Sequence, residues 1–144
     1  MKALIDTCVV IDVLQRRNPF FDDAYKVFML CANKKFEGYL SAKSITDIYY
    51  LTHRSTHSND VSKEALRKLF VLFDLMDTAA TDVKHAIDSD VSDYEDAVMI
   101  ETAKRSRVDC IVTRNSKDYS ASSVPVFTPE RFVKLIENLD VGGC

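Results

Sequence analysis

Four stretches set an acid or amide beside an apolar run: Asp6 at the end of "KALID", Asp47 in "SAKSITDIYYL", Asp96 in "DYEDAVMIETA", and Asn115 with Asp118 in "TRNSKD". An ionised carboxylate at the mouth of an apolar stretch is costly unless it accepts hydrogen bonds, caps a helix or meets a cation. Carboxylates converging from several such stretches would repel by about 4 kcal/mol per pair at ~4 Å and an effective dielectric near 20. A cluster of that kind needs a cation. Oxygen-only donors suit Mg²⁺ or Mn²⁺, which keep several waters and bind phosphates. Phosphodiester hydrolysis is the chemistry such a set serves best, because a carboxylate-bound cation lowers the pKa of an attacking water.

Each residue also has a plainer reading. Asp6 is a possible helix N-cap, and Ser44 to Asp47 is an S-x-x-D capping pattern. Asp96 would favour a helix dipole from the first turn, as would its neighbours Asp93 and Glu95. Asn115 and Asp118 are ordinary turn residues. Asp12, in "CVVIDVL", reads as a polar helix residue. His53 and His57 stand at i, i+4 as in helical zinc sites, but Arg54 occupies the place of the catalytic Glu, which favours a solvated helix end.

The elements that must position these residues follow from periodicity. "KALID" reads as a buried strand and "TCVVIDVLQRR" as a helix with Val10, Val13 and Leu14 on one face. A helix is expected from "NPFFDDAY", with Asn18 as cap, Pro19 at its first position and Asp22 and Asp23 in its first turn. "EGYLSA" is a strand feeding the helix "KSITDIYYLTHRS"; a further helix spans 58–76, "DTAATD" holds a short strand, and "VKHAIDS" resumes helix. Ser92 to Glu95 forms a capping box for the next helix. "DCIVTRN" and "VPVF" are strands, and Thr128 caps a last helix with Pro129 at its first position. Short apolar strands alternating with helices predict a single-domain, three-layer α/β/α fold with a central parallel sheet of four to five strands. In such sheets functional groups gather beyond the carboxyl ends of the strands, where Asp6, Asp47 and the Asn115–Asp118 turn fall.

At 144 residues and 47% hydrophobic, the chain suits one domain, 1–144, with one core. No apolar run approaches bilayer length and no basic-then-apolar leader pattern is evident, so a soluble, cytoplasmic protein without a membrane partner is expected. Cys8, Cys31, Cys110 and Cys144 lack C-x-x-C spacing, favouring neither a disulfide framework nor a zinc site. The net charge of −3 opposes polyanion binding through bulk electrostatics. Local cations near the proposed edge, Arg16, Arg17, Arg114 and Lys117, are candidates to hold phosphates.

The order "LIDTCVVIDVL", "SAKSITDIYYL", "DYEDAVMIETA" and "IVTRNSKDY" resembles the PIN-domain nucleases, over about residues 2–132, and among them the VapC-like toxins of toxin–antitoxin pairs. The resemblance implies a Mg²⁺- or Mn²⁺-dependent endoribonuclease, an RNA substrate, a small antitoxin partner and a homodimer. It implies that Asp6, Asp47, Asp96 and Asp118 hold metal and act in catalysis and that Thr7, Thr113 and Asn115 support them; with RNA as substrate, Arg16, Arg114 and Lys117, by their place near the proposed edge, are the candidates to contact it. Two positions depart from the pattern: the second acid is usually Glu where this chain has Asp47, and many members have Asp where Asn115 stands. These departures keep open a catalytically weakened PIN-like module that binds RNA or protein. A haloacid-dehalogenase-like phosphatase would need an acid where Cys8 stands, and a receiver domain would need a phosphorylatable Asp after a clear third strand.

Overall fold

In the computed structural model, which describes residues 1–142, Lys2–Ile5 forms strand β1 and Thr7–Leu14 helix α1, followed by α2 (Phe21–Ala32), β2 (Glu37–Ser41), α3 (Ala42–Thr56) and α4 (Asn59–Leu72). Then come β3 (Asp74–Met76), α5 (Ala80–Ala86), α6 (Tyr94–Ser106), β4 (Cys110–Val112), a 3₁₀ turn over Ser116–Tyr119, β5 (Val126–Phe127) and α7 (Pro129–Gly142). Cys144 lies outside the described residues.

The five strands pair in parallel in the order β3-β2-β1-β4-β5. Strand alternation divides the core between the two faces of the sheet. Ala3, Ile5, Leu40, Cys110 and Val112 pack with Val9, Val10, Val27, Ile48, Phe132 and Ile136 from α1, α2, α3 and α7. Leu4 and Ile111, one residue out of step, pack with Met99, Ile100 and Ala103 of α6 and with Tyr119 and Val124. The result is the expected three-layer α/β/α arrangement. From β1 the chain winds outward through β2 and β3, then returns to lay β4 and β5 on the other side of β1. The reversal falls between β1 and β4. Beyond the carboxyl ends of such a strand pair an open α/β sheet forms its ligand crevice.

Several boundaries differ from the sequence expectation. The helix expected over 58–76 ends at Leu72, because Phe73 adopts extended backbone (φ −117°, ψ 144°) and buries its ring. The chain then forms β3 against Tyr39–Ser41, placing that strand before "DTAATD" rather than within it. Helix α2 starts at Phe21 instead of Pro19, with Phe20 held under the Arg114 guanidinium, 4.1 Å from its ring centroid. The Ser92–Glu95 capping box is not formed: Asp93 caps α6, accepting from the Asp96 N–H at 3.0 Å. Ser41 caps α3 by accepting from the Ser44 N–H, so Ser44 does not pair with Asp47 as a capping box. At α7, Thr128 Oγ1 accepts from the Arg131 N–H at 3.3 Å, with Pro129 at the first position as expected.

Candidate active site

Asp6 is the first residue beyond β1, and its N–H still bonds the Val112 carbonyl at 2.9 Å, which fixes it at the β1–β4 crevice. It occupies the N-cap position of α1 but its side chain makes no cap bond. Instead its Oδ2 accepts from Thr113 Oγ1 at 2.7 Å, Tyr119 Oη at 3.3 Å and Cys8 Sγ at 3.5 Å. The described residues give Oδ1 no hydrogen bond, and Asp6 lines a cleft of about 310 Å³. Three neutral donors thus hold one oxygen and leave the other free.

Asp96, on the first turn of α6, faces the same cleft, and its Oδ1 accepts from Tyr119 Oη at 3.1 Å. Burial does most to push its carboxyl up, to about 6; the Tyr119 bond opposes this, and the charges of Asp6, Asp93 and Asp118 reinforce it. The same burial, then Asp6 and Asp96, push the Tyr119 phenol far above its ordinary range. Cys8 is raised to about 12 by burial and by Asp6, so both groups remain neutral donors at physiological pH.

Asp93, Glu95 and Asp118 complete an acidic wall, joined by Thr7, Asn115 and Arg17. Asp118 and Asn115 are exposed on the 3₁₀ turn, which is anchored where the Asn115 N–H donates to Thr113 Oγ1 at 3.2 Å. Thr113 therefore ties the turn to Asp6. Thr7 Oγ1 is buried without a partner among the described residues.

Asp47 does not line this cleft. It lies one helical turn before Leu51, which does, and Lys43 Nζ stands 2.9 Å from both Asp47 Oδ2 and Glu95 Oε1. Burial alone would lower the Lys43 pKa, but the hydrogen bonds it donates to Asp47 and Glu95 outweigh it and raise it. The ammonium is the present counter-ion of the second acid.

The proposed phosphate contacts divide. Arg114 is engaged elsewhere: its guanidinium grips the buried carboxylate of Asp12 through Nε at 2.8 Å and Nη2 at 3.2 Å, so that edge is not presented to a phosphate. Arg16 sits at positive φ (49°) in the turn after α1 and does not line the cleft; Arg17, beside it, does. Lys117 is exposed on the 3₁₀ turn.

A family model described as a PIN domain matches residues 2–117, about four-fifths of the chain. The chain belongs to the PIN domain family. No curated protein sequence matches it. Among solved structures, this PIN domain is similar to VapBC2 from Rickettsia felis bound to a DNA fragment from their promoter (14% identity, 89% of this chain and 98% of that one, TM-score 0.68). It is also similar to a toxin–antitoxin complex from Klebsiella pneumoniae (22% identity, 88% and 97%, TM-score 0.61). A third is VapC20 from Mycobacterium tuberculosis, a sarcin–ricin loop cleaving toxin (13% identity, 83% and 94%, TM-score 0.65). At these identities the likeness is one of fold.

Sequence reasoning missed two features of this PIN domain. Tyr119, the last residue of the 3₁₀ turn, carries no role in the sequence reading, yet its hydroxyl touches two acids; its position directly after Asp118 was the available signal. The Asp12–Arg114 pair joins residues 102 apart in sequence, and no local pattern announces it.

Proposed function

We propose that this PIN domain is a divalent-metal-dependent endoribonuclease and the toxin of a toxin–antitoxin pair. The observation that carries the reading is the approach of Asp6 and Asp96, from different elements, to one neutral hydroxyl at the β1–β4 crevice. The donor set fits a hard cation. Its carboxylates and hydroxyls are oxygen donors, the one thiol on the cleft, Cys8, stays protonated, and among the described residues Asp6 Oδ1 has no donor and the buried Thr7 Oγ1 no partner. Among the described residues no three His, Cys, Asp or Glu side chains are grouped so as to hold a metal ion by themselves. Mg²⁺ and Mn²⁺ bind through one or two carboxylates plus waters and phosphate oxygens, so Asp6 and Asp96 are the pair the reading depends on.

Asp6 and Asp96 would hold the ion, with Asp118 reaching from the exposed rim of the cleft and Thr7, Thr113 and Asn115 supporting the edge. The bound ion supplies Lewis acidity and a lowered pKa for a water. Thr113 and Cys8 fix the Asp6 carboxylate, Tyr119 spans the two acids, and Arg17 and Lys117 supply positive charge for the RNA backbone. Lys43 would release Asp47 to take part only by leaving its present pair.

An apolar groove of about 570 Å³, lined by Val13, Leu14, Phe28, Val61, Leu69 and Leu72, supports the expectation of a protein partner such as an antitoxin segment. A homodimer and a cytoplasmic setting belong to the same reading.

The pairing of Lys43 with Asp47 and Glu95 favours one rival, a weakened module that binds RNA without cutting it. Incubating the protein with an RNA panel and Mn²⁺ separates the two: the proposal predicts internal cleavage abolished by EDTA and by Asp6→Asn. Binding without cleavage would leave the rival.

A further inference from the structure

Tyr119 sits 2% exposed, its ring packed with Leu4, Met99, Ile100, Ile111 and Val124 on the α6 face of the sheet. That packing fixes where the hydroxyl ends. It lies 3.3 Å from Asp6 Oδ2 and 3.1 Å from Asp96 Oδ1, both longer than the usual 2.7–2.8 Å of a hydroxyl donor. A phenol has one hydrogen, so it satisfies one carboxylate at a time and sits between the two. The two acids depend on it unequally. Asp6 Oδ2 also has Thr113 and Cys8, whereas the described residues give the Asp96 carboxylate no other hydrogen bond.

We infer that Tyr119 is a positioning residue, a neutral strut whose hydroxyl holds the Asp6 and Asp96 carboxylates at a set spacing before a divalent cation arrives. Without it, two anions facing one cleft repel and Asp96 turns freely about its side-chain bonds. A cation would then have to order the pair as it binds, and ordering is lost affinity. The argument rests on the metal-dependent reading of the same site.

The test compares wild type with Tyr119→Phe, which keeps the packed ring and removes only the hydroxyl. Mn²⁺ binding to the protein alone, followed by calorimetry or by the electron paramagnetic resonance of free Mn²⁺, should weaken about 10-fold, the low end of what loss of a residue that orients metal ligands costs. RNA cleavage should need correspondingly more Mn²⁺, and at saturating Mn²⁺ should return close to the wild-type rate. Equal Mn²⁺ affinity in the two proteins, or a variant altered only in thermal stability, would overturn the strut while leaving the nuclease reading intact. A wild-type protein that takes up no Mn²⁺ would overturn both. Wild type that binds Mn²⁺ but cuts no RNA would remove the nuclease reading alone, and a weakened affinity in the variant would still support the strut. Should Tyr119→Phe fail to fold, Mg²⁺ titrated into wild type carrying ¹³Cζ-labelled tyrosine must shift the Tyr119 resonance. A silent resonance would count against the strut.

Discussion

Two carboxylates within seven chain positions of the same strand end have opposite fates because of what surrounds them. Asp6 keeps one oxygen free, while Asp12, 1% exposed, is spent on Arg114. Removing one member of a buried ion pair strands the other, so Arg114→Ala should destabilise the protein by about 3–5 kcal/mol in urea unfolding. A phosphate-contact residue at the surface would lose almost nothing. Asp96 makes a second prediction at this scale. Its carboxyl is raised from 3.8 to about 6, so the folded metal-free protein favours the protonated form. The associated stability is fully present below pH 3.8 and is lost as pH rises through about 6. Asp96→Asn keeps an acceptor for Tyr119 without the charge. In EDTA near neutral pH it should raise Tm by about 2–4 °C, a figure kept small because the cleft opens to solvent. The gain should vanish in acid; a gain independent of pH would mean that packing, not charge, is responsible.

At the scale of elements, the local signals were legible where one face decides. The short apolar run in "KALID", helical spacing in "TCVVIDVL" and the Thr128–Pro129 start of α7 lead directly to the elements observed. The errors lie where a distant partner decides. An apolar run through Phe73 and Met76 continues a helical pattern on paper, but an exposed edge of β2 captures its last residues as β3. Phe20 leaves the expected helix because Arg114, far along the chain, lies over its ring. Close approach at β2 gives a sharp test of this packing. A Cβ on Gly38 would stand 2.7 Å from both Cys31 Sγ and Phe73 Cδ1, so Gly38→Ala should cost about 1–3 kcal/mol by overpacking. Chemical denaturation measures it; a neutral substitution would show that α2 and Phe73 yield more easily than their burial implies.

Across the whole molecule, the parallel sheet accounts for how much of the site could be read in advance. Strand ends are visible in a sequence, so Asp6, Asp96, Asn115 and Asp118 could be assigned to one edge, and they share the cleft. Side-chain directions beyond that edge are not visible, which is why Asp47 falls to Lys43 and why Tyr119 went unnoticed. On the proposed nuclease reading, the net charge of −3 and the acidic cleft call for a cation at the site to receive RNA, with Arg17 and Lys117 adding to it. The most direct measurement of this account is cleavage of an RNA panel by wild type and by Asp6→Asn, with Mn²⁺ and with EDTA. It predicts internal cuts by wild type in Mn²⁺, none in EDTA, and a loss of at least about 100-fold in Asp6→Asn. Cleavage that persists unchanged in EDTA or in Asp6→Asn would contradict it.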